Sequence, residues 1–101
     1  GVKVEVGYHA YESGKAKDLF VKFPDGTYYS GDVWPGTCHF PDFTLAEARN
    51  WWGEQFAALA KMGIKGFWND MNEPVTWGKK LPDLIEFDFD GYGATHRKAH
   101  N

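Results

Sequence analysis

The chain has 101 residues and a formal net charge of −3, long enough for one independent domain. Its longest positive clusters, Lys79-Lys80 and Arg97-Lys98, fall short of a nucleic-acid footprint. The single cysteine, Cys38, excludes an internal disulfide, and no apolar run approaches the roughly 20 residues that span a bilayer. No nucleic-acid or membrane partner is therefore expected. The opening Gly-Val-Lys carries no leader, which leans towards a cytoplasmic location and a cut or processed start. Aromatic residues make up 18% of the chain, many beside Gly or Pro, a pattern common to packed cores and to the flat platforms of carbohydrate sites.

In chain order, residues 2–6 alternate as Val-Lys-Val-Glu-Val and predict a short extended segment. Gly7, Gly14 and the polar residues between them predict a loop. Leu19 to Phe23 is rich in strand formers, Pro24-Asp25-Gly26-Thr27 is a turn signal, and Tyr28-Tyr29 begins a return, so a small hairpin is expected over 19–30. The stretches Gly31-Asp32-Val33-Trp34-Pro35-Gly36 and Phe40-Pro41-Asp42-Phe43 read as irregular, aromatic-pinned loops of the kind found at functional rims.

A helix is expected over 44–62. Thr44 and Glu47 have the spacing of a capping box, Ala48, Trp52, Phe56 and Leu59 form an apolar stripe, and Gly63 stops it. Residues 64–71 are short and mostly bulky, as a buried parallel strand would be. Helix, glycine, strand and then carboxylates at the C-terminal end of the strand make half of a βαβ unit. In a β/α barrel, groups at that end face the catalytic pocket. Residues 75–93 read as an acidic link, and 94–101 as the possible start of a second helix.

Asp70 and Glu73 are the acidic residues of the strand-end segment. An Asp beside a rigid strand end is held well enough to act as a nucleophile on a sugar acetal, given a proton donor on the other side. The competing assignment is a solvated strand end, with Glu73 capping the following turn. His96 and His100 share a helical face and would suit a metal only with a third ligand, and no HExxH pattern accompanies them. Asp88-Phe89-Asp90-Gly91 lacks the spaced oxygens and closing Glu of a calcium loop. Cys38 lacks a visible base partner and reads as a packed residue.

The segment Gly66-Phe67-Trp68-Asn69-Asp70-Met71-Asn72-Glu73-Pro74 closely resembles the signature of glycoside hydrolase family 31, which includes α-glucosidases, α-xylosidases and related transferases. Gly7-Tyr8 with Tyr11 and Gly14, Phe20 with Asp25-Gly26, residues 31–36, residues 40–43, Trp51-Trp52 and the closing His96 to Asn101 are similar to the family as well. The resemblance implies an α/β fold, part of a (β/α)8 TIM barrel. The chain would run from the end of strand 3, through a small insertion with a hairpin at 7–36, barrel helix 44–62 and barrel strand 64–71, to the start of helix 4.

By the same resemblance Asp70 is the nucleophile, Asn72 and Glu73 support it, and Trp34 lines the sugar pocket. Asp42, Phe43, Trp68 and His100 stand behind these. The resemblance implies a retaining α-glucosidase acting on α-linked oligosaccharides, with no metal and no cofactor. An α-xylosidase, an α-glucosyltransferase, a noncatalytic sugar-binding module and a structural remnant stay open, as does a homo-oligomer. The family's general acid/base Asp, its strand-1 pocket Asp and its later pocket Arg and His have no counterpart here. Asn69 occupies a variable position. The chain is therefore expected to be inactive alone and to need the remaining segments of the enzyme as partners.

Overall fold

The computed structural model of the chain describes residues 2–4, 9–70, 76–77, 82, 84–88 and 94–95. Strands β1 (Val2–Lys3), β2 (Ser30–Val33) and β3 (Gly36–His39) form an antiparallel sheet in the order β1-β3-β2. Val2 pairs with His39 and Lys3 with Cys38, while β2 runs from Ser30 opposite His39 to Val33 opposite Gly36. The irregular loop expected over 31–36 is thus the closed end of a hairpin. Trp34 and Pro35 make the turn, and Gly36 takes a φ of 105° that a side chain would strain.

The segment expected to form a hairpin over 19–30 turns back on itself with little ladder. Lys22 and Tyr28 form an antiparallel bridge, Phe23 N–H donates to Thr27 O (2.8 Å), and Tyr29 N–H donates to Val21 O (3.0 Å). The turn is held by Asp25, whose Oδ1 accepts the Thr27 N–H (2.9 Å), and by Gly26 at φ 89°. Residues 40–42, expected as loop, pair instead with 19–21: Phe20 bridges Pro41, and Val21 N–H donates to Phe40 O (2.8 Å).

Side chains alternate across extended backbone, so these segments supply two cores at once. Val21, Tyr29, Val33, Cys38, Phe40, Ile85 and Phe87 bury one face. Val2, Tyr11, Leu19, Phe20, Ala48 and Trp51 bury the other.

The loop expected around Gly7–Gly14 is a helix from residue 9 on. Helix α1 (His9–Ala16) places Tyr11 and Gly14 in the second core. Its amphipathic signal is only two buried positions long, and Gly14 reads locally as a breaker. In the fold Gly14 serves close approach, since a Cβ there would lie 2.7 Å from Phe20 Cζ and 2.9 Å from Trp51 Cζ2. The helix ends with Asp18 in the left-handed region (φ 58°), Asp18 N–H donating to Lys15 O and Leu19 N–H to Gly14 O. An Asp tolerates this conformation better than most residues. Its carboxylate accepts bonds from Lys22 Nζ (2.6 Å) and the Tyr28 hydroxyl. The Lys22 bond, then the Tyr28 bond, pull the Asp18 carboxyl below its ordinary value.

Helix α2 (Ala46–Lys61) confirms the expected helix, with corrections at its start and on its buried face. The N-cap is Leu45, with no side-chain cap bond. Thr44, expected as the cap, lies one residue before it, and its hydroxyl donates to Asp42 Oδ1. The deepest residues are Ala48 and Trp51; Trp52 and Phe56 are half-buried and Leu59 is 38% exposed. Trp51 was outside the expected stripe. It is drawn in because α2 packs on α1, where its indole N–H donates to Ser13 Oγ (2.9 Å). At the other end the expected stop holds: Gly63 has φ 95°, its N–H donates to Ala60 O (3.1 Å), and Ile64 N–H donates to Leu59 O (3.3 Å), a Schellman closure.

Residues 64–70, expected within a strand over 64–71, are exposed and pair with none of the described segments. One further expectation is corrected. Ala94–Thr95, expected to open a helix, is strand β5, antiparallel to β4 (Glu86–Phe87). β4 is itself joined to the 19–30 segment through a Lys22–Glu86 bridge. Residues 96–101 lie outside the described residues.

Two glycines predict opposite outcomes. Gly14→Ala forces a methyl against two rings and is expected to cost about 1–3 kcal/mol. Gly53→Ala, mid-helix with open space around it, is expected to add about 0.5–1 kcal/mol. Urea unfolding midpoints of the two variants check both signs. A third expectation concerns His39, which is buried against Tyr11, Phe20 and Tyr28. Burial holds its imidazole below the ordinary value, with the bond to Tyr29 O opposing. The unfolded chain therefore binds the proton first. Stability is complete above the unfolded pKa of about 6.5 and falls as pH drops below it. Melting temperatures between pH 7.5 and 5 should fall in the native protein and flatten in His39→Gln.

Candidate functional site

Asp42 is a buried carboxylate with bonds on both oxygens. It is 3% exposed, and its backbone N–H donates to Leu19 O (2.7 Å) while its C=O accepts from Leu45 N–H (3.0 Å). Oδ1 accepts from Thr44 N–H (3.1 Å) and Oγ1, and Oδ2 accepts from Asp88 N–H (2.6 Å). One side chain thus shapes the turn into α2 and ties it to the segment that carries β4. A cleft of about 440 Å³ opens beside it, lined among others by Lys17, Asp18, Lys22, Asp42, Glu86 and Asp88. Neither Asp70 nor Trp34 borders this cleft. Its charges are mixed, and Asp18, Lys22 and Asp42 are already committed to one another or to backbone.

Asp70 ends the described stretch that follows α2 and is exposed. Phe67, 52% exposed, keeps its ring against Phe56 (centroids 5.4 Å), so this stretch is moored to α2 through the chain of rings Phe43, Trp52, Phe56 and Phe67. Trp68 is 88% exposed. Asn72, Glu73 and His100 lie outside the described residues. Among the described residues, no three His, Cys, Asp or Glu side chains group to hold a metal ion. Cys38 is buried in the first core, its thiol bonded to Gly36 O (3.5 Å) and its pKa pushed up by burial.

Trp34 stands at the tip of the β2–β3 hairpin, 77% exposed. It meets Trp77 edge to face, with centroids 4.7 Å apart and planes at 81°. Trp77 N–H donates to Asp32 O (3.0 Å), which fixes the 76–77 segment against β2. The sequence reading missed Trp77. Its one available signal was a bulky aromatic seven positions after Asp70, inside a stretch read as link. Two exposed indoles, one on the hairpin turn and one on the segment bonded to β2, form an apolar wall of the kind that packs against a sugar ring.

The sequence model of the Glycosyl hydrolases family 31 TIM-barrel domain matches residues 1–101. The chain belongs to glycoside hydrolase family 31. Among family 31 relatives, alpha-glucosidase 2 of Bacillus thermoamyloliquefaciens is 44% identical over 100% of the chain and 13% of its own length. The neutral alpha-glucosidase AB of Homo sapiens is 36% identical over 99% of the chain and 11% of its own length. The glucosidase II alpha subunit solved with alpha3-Glc2 bound superposes with a TM-score of 0.84 at 31% identity, over 98% of this chain and 11% of that one. The chain thus spans about an eighth or less of the lengths of these family 31 proteins, within a TIM-barrel domain.

Asp42 provides the prediction for this region. Asp42→Ala leaves the Thr44 and Asp88 donors without their acceptor and is expected to cost about 2–4 kcal/mol. Asp42→Asn keeps one oxygen and should cost less. Amide hydrogen exchange at Asp88 should quicken in both, more in the alanine variant.

Proposed function

We propose that the enzyme containing this chain is a retaining α-glucosidase and that Asp70 is its nucleophile. The observation that carries the reading is the 44% identity to an alpha-glucosidase across the whole chain. The family-type segment 66–74 ends on the carboxylates, and α2 with its Gly63 stop leads directly into it. On this reading residues 44–62 are a barrel helix and 64–71 a barrel strand whose ladder partners are other strands of the same barrel. The ring chain along α2 faces the barrel wall. Residues 7–36 form an insertion that brings the Trp34 hairpin to the sugar.

In the proposed mechanism a terminal α-linked glucose lies against Trp34. A carboxylic acid from another segment gives its proton to the glycosidic oxygen. Ionised Asp70 attacks the anomeric carbon, the C–O bond to the leaving group breaks, and a covalent glycosyl–Asp70 ester forms through an oxocarbenium-like transition state. The same group, now a carboxylate, takes a proton from water, which attacks the anomeric carbon and frees Asp70. Two inversions retain the anomeric configuration. The reading places the two carboxyl groups about 5–5.5 Å apart. Asn72 and Glu73 support Asp70, and Asp42 and Phe43 support the wall through the start of α2. Trp68 and His100 complete the surroundings.

The test is covalent labelling of the intact enzyme with 5-fluoro-α-glucosyl fluoride, followed by peptide mass spectrometry. The adduct is expected on Asp70. Turnover of α-glucosides with the label on another residue would sink the assignment, and labelling only by the xylosyl reagent would move the enzyme to the α-xylosidases. Asp70→Ala should lower kcat by at least about 10⁴-fold.

A further inference from the structure

Gly31 lies in β2 opposite Cys38 and supplies no side chain, yet three groups converge on the space its side chain would fill. A Cβ at Gly31 would lie 2.5 Å from Thr76 Cγ2, 3.0 Å from Tyr29 Oη and 3.2 Å from Phe40 Cε2. The first of these distances is far inside van der Waals contact, so a Cβ and the present seat of Thr76 exclude each other. Thr76 is 8% exposed. The next residue is Trp77, whose N–H is bonded to Asp32 O, one residue along β2 from Gly31, and whose indole meets Trp34. Thr76 follows Asp70 by six positions, a tether of about 20 Å at full extension.

We propose that Gly31 is a positioning residue of the sugar site: its bare α-carbon seats Thr76 on β2, and that seat sets Trp77 against Trp34. The proposal rests on the functional reading above, in which Trp34 lines the sugar pocket. It adds that a glycine outside the wall holds Trp77 beside Trp34 through the seat of Thr76. The conformation of Gly31 does not demand glycine, since its φ lies outside the left-handed region. The demand is spatial, made by a segment 45 positions later in the chain.

The experiment uses the intact enzyme with four variants: Gly31→Ala, Gly31→Ala combined with Thr76→Ser, Thr76→Ile and Trp77→Phe. Two quantities are read. One is the far-ultraviolet exciton couplet of the Trp34–Trp77 pair, taken without sugar as the difference from Trp77→Phe, which cancels the Trp51–Trp52 pair. The other is the split between KM and kcat on maltose. Gly31→Ala is expected to abolish the couplet and raise KM roughly three- to tenfold, with kcat held within about twofold. Thr76→Ser removes the nearest methyl while keeping the hydroxyl, and should restore both readouts in the double variant. Thr76→Ile crowds the same contact from the other side and should reproduce Gly31→Ala even if that variant does not fold.

A role in packing alone would lower the melting temperature and leave couplet and KM unchanged, which would overturn the proposal. So would a couplet lost in Gly31→Ala and not regained in the double variant. A wild-type enzyme silent on α-glucosides defeats the functional reading alone, because the couplet decides the docking of Thr76 without any sugar.

Discussion

Cys38 and His39 are neighbours in β3, they point to opposite faces of the sheet, and both are buried. A strand covered on both sides needs two sets of apolar partners, and the chain supplies them by alternation. Phe20 joins the His39 side and Val21 the Cys38 side. Tyr28 packs on the first and Tyr29 belongs to the second. Shifting the pairing by one residue would exchange all of these at once, so the register of β3 governs both cores. His39 shows what that burial requires of a polar group: its Nδ1 lies within bonding distance of Ser30 Oγ (3.1 Å) and Tyr29 O (3.2 Å), while three aromatic rings surround it.

Two aspartates then connect the layers. Asp18 occupies a backbone conformation that glycine would adopt more cheaply, and uses its carboxylate to hold Lys22 and Tyr28. Burial, followed by the Asp18 bond, raises the Tyr28 phenol, so this pair keeps its donor and acceptor roles throughout the neutral range. Asp42 does the longer-range work, because its two oxygens bond residues 44 and 88 from one position. It thereby fixes where α2 starts relative to β4. Its burial is balanced by this bonding.

Within the proposed function, the site is divided between a built part and a moored part. The hairpin tip that carries Trp34 is a closed turn on a sheet with cores on both sides, and Trp77 is bonded to it through Asp32. Asp70 belongs to a stretch held to α2 by the Phe56–Phe67 ring contact. A nucleophile needs sub-ångström placement, which a ladder of neighbouring strands provides. Within the proposed function, the barrel's remaining strands are what convert residue 70 from a tethered carboxylate into a catalytic one.

The sequence alone was enough for whatever is decided within a few residues. The stop of α2 at Gly63 follows from the left-handed φ that its closure requires, the Pro24–Thr27 turn from Asx bonding and a glycine, and family membership from the nine-residue segment 66–74. Tertiary structure decided the rest, because each depends on a partner far along the chain. Helix α1 forms where a loop was expected because Gly14 lets Phe20 and Trp51 close on it. Trp51, outside the expected stripe, is buried because Ser13 and α1 lie there. Helix α2 starts from Leu45 rather than Thr44, and residues 94–95 become a strand because β4 offers a ladder. Trp77 meets Trp34 because its N–H is bonded to Asp32 O, 45 positions back along the chain. Periodicity and capping are short-range signals, whereas packing partners are chosen across tens of residues, and no local pattern records that choice.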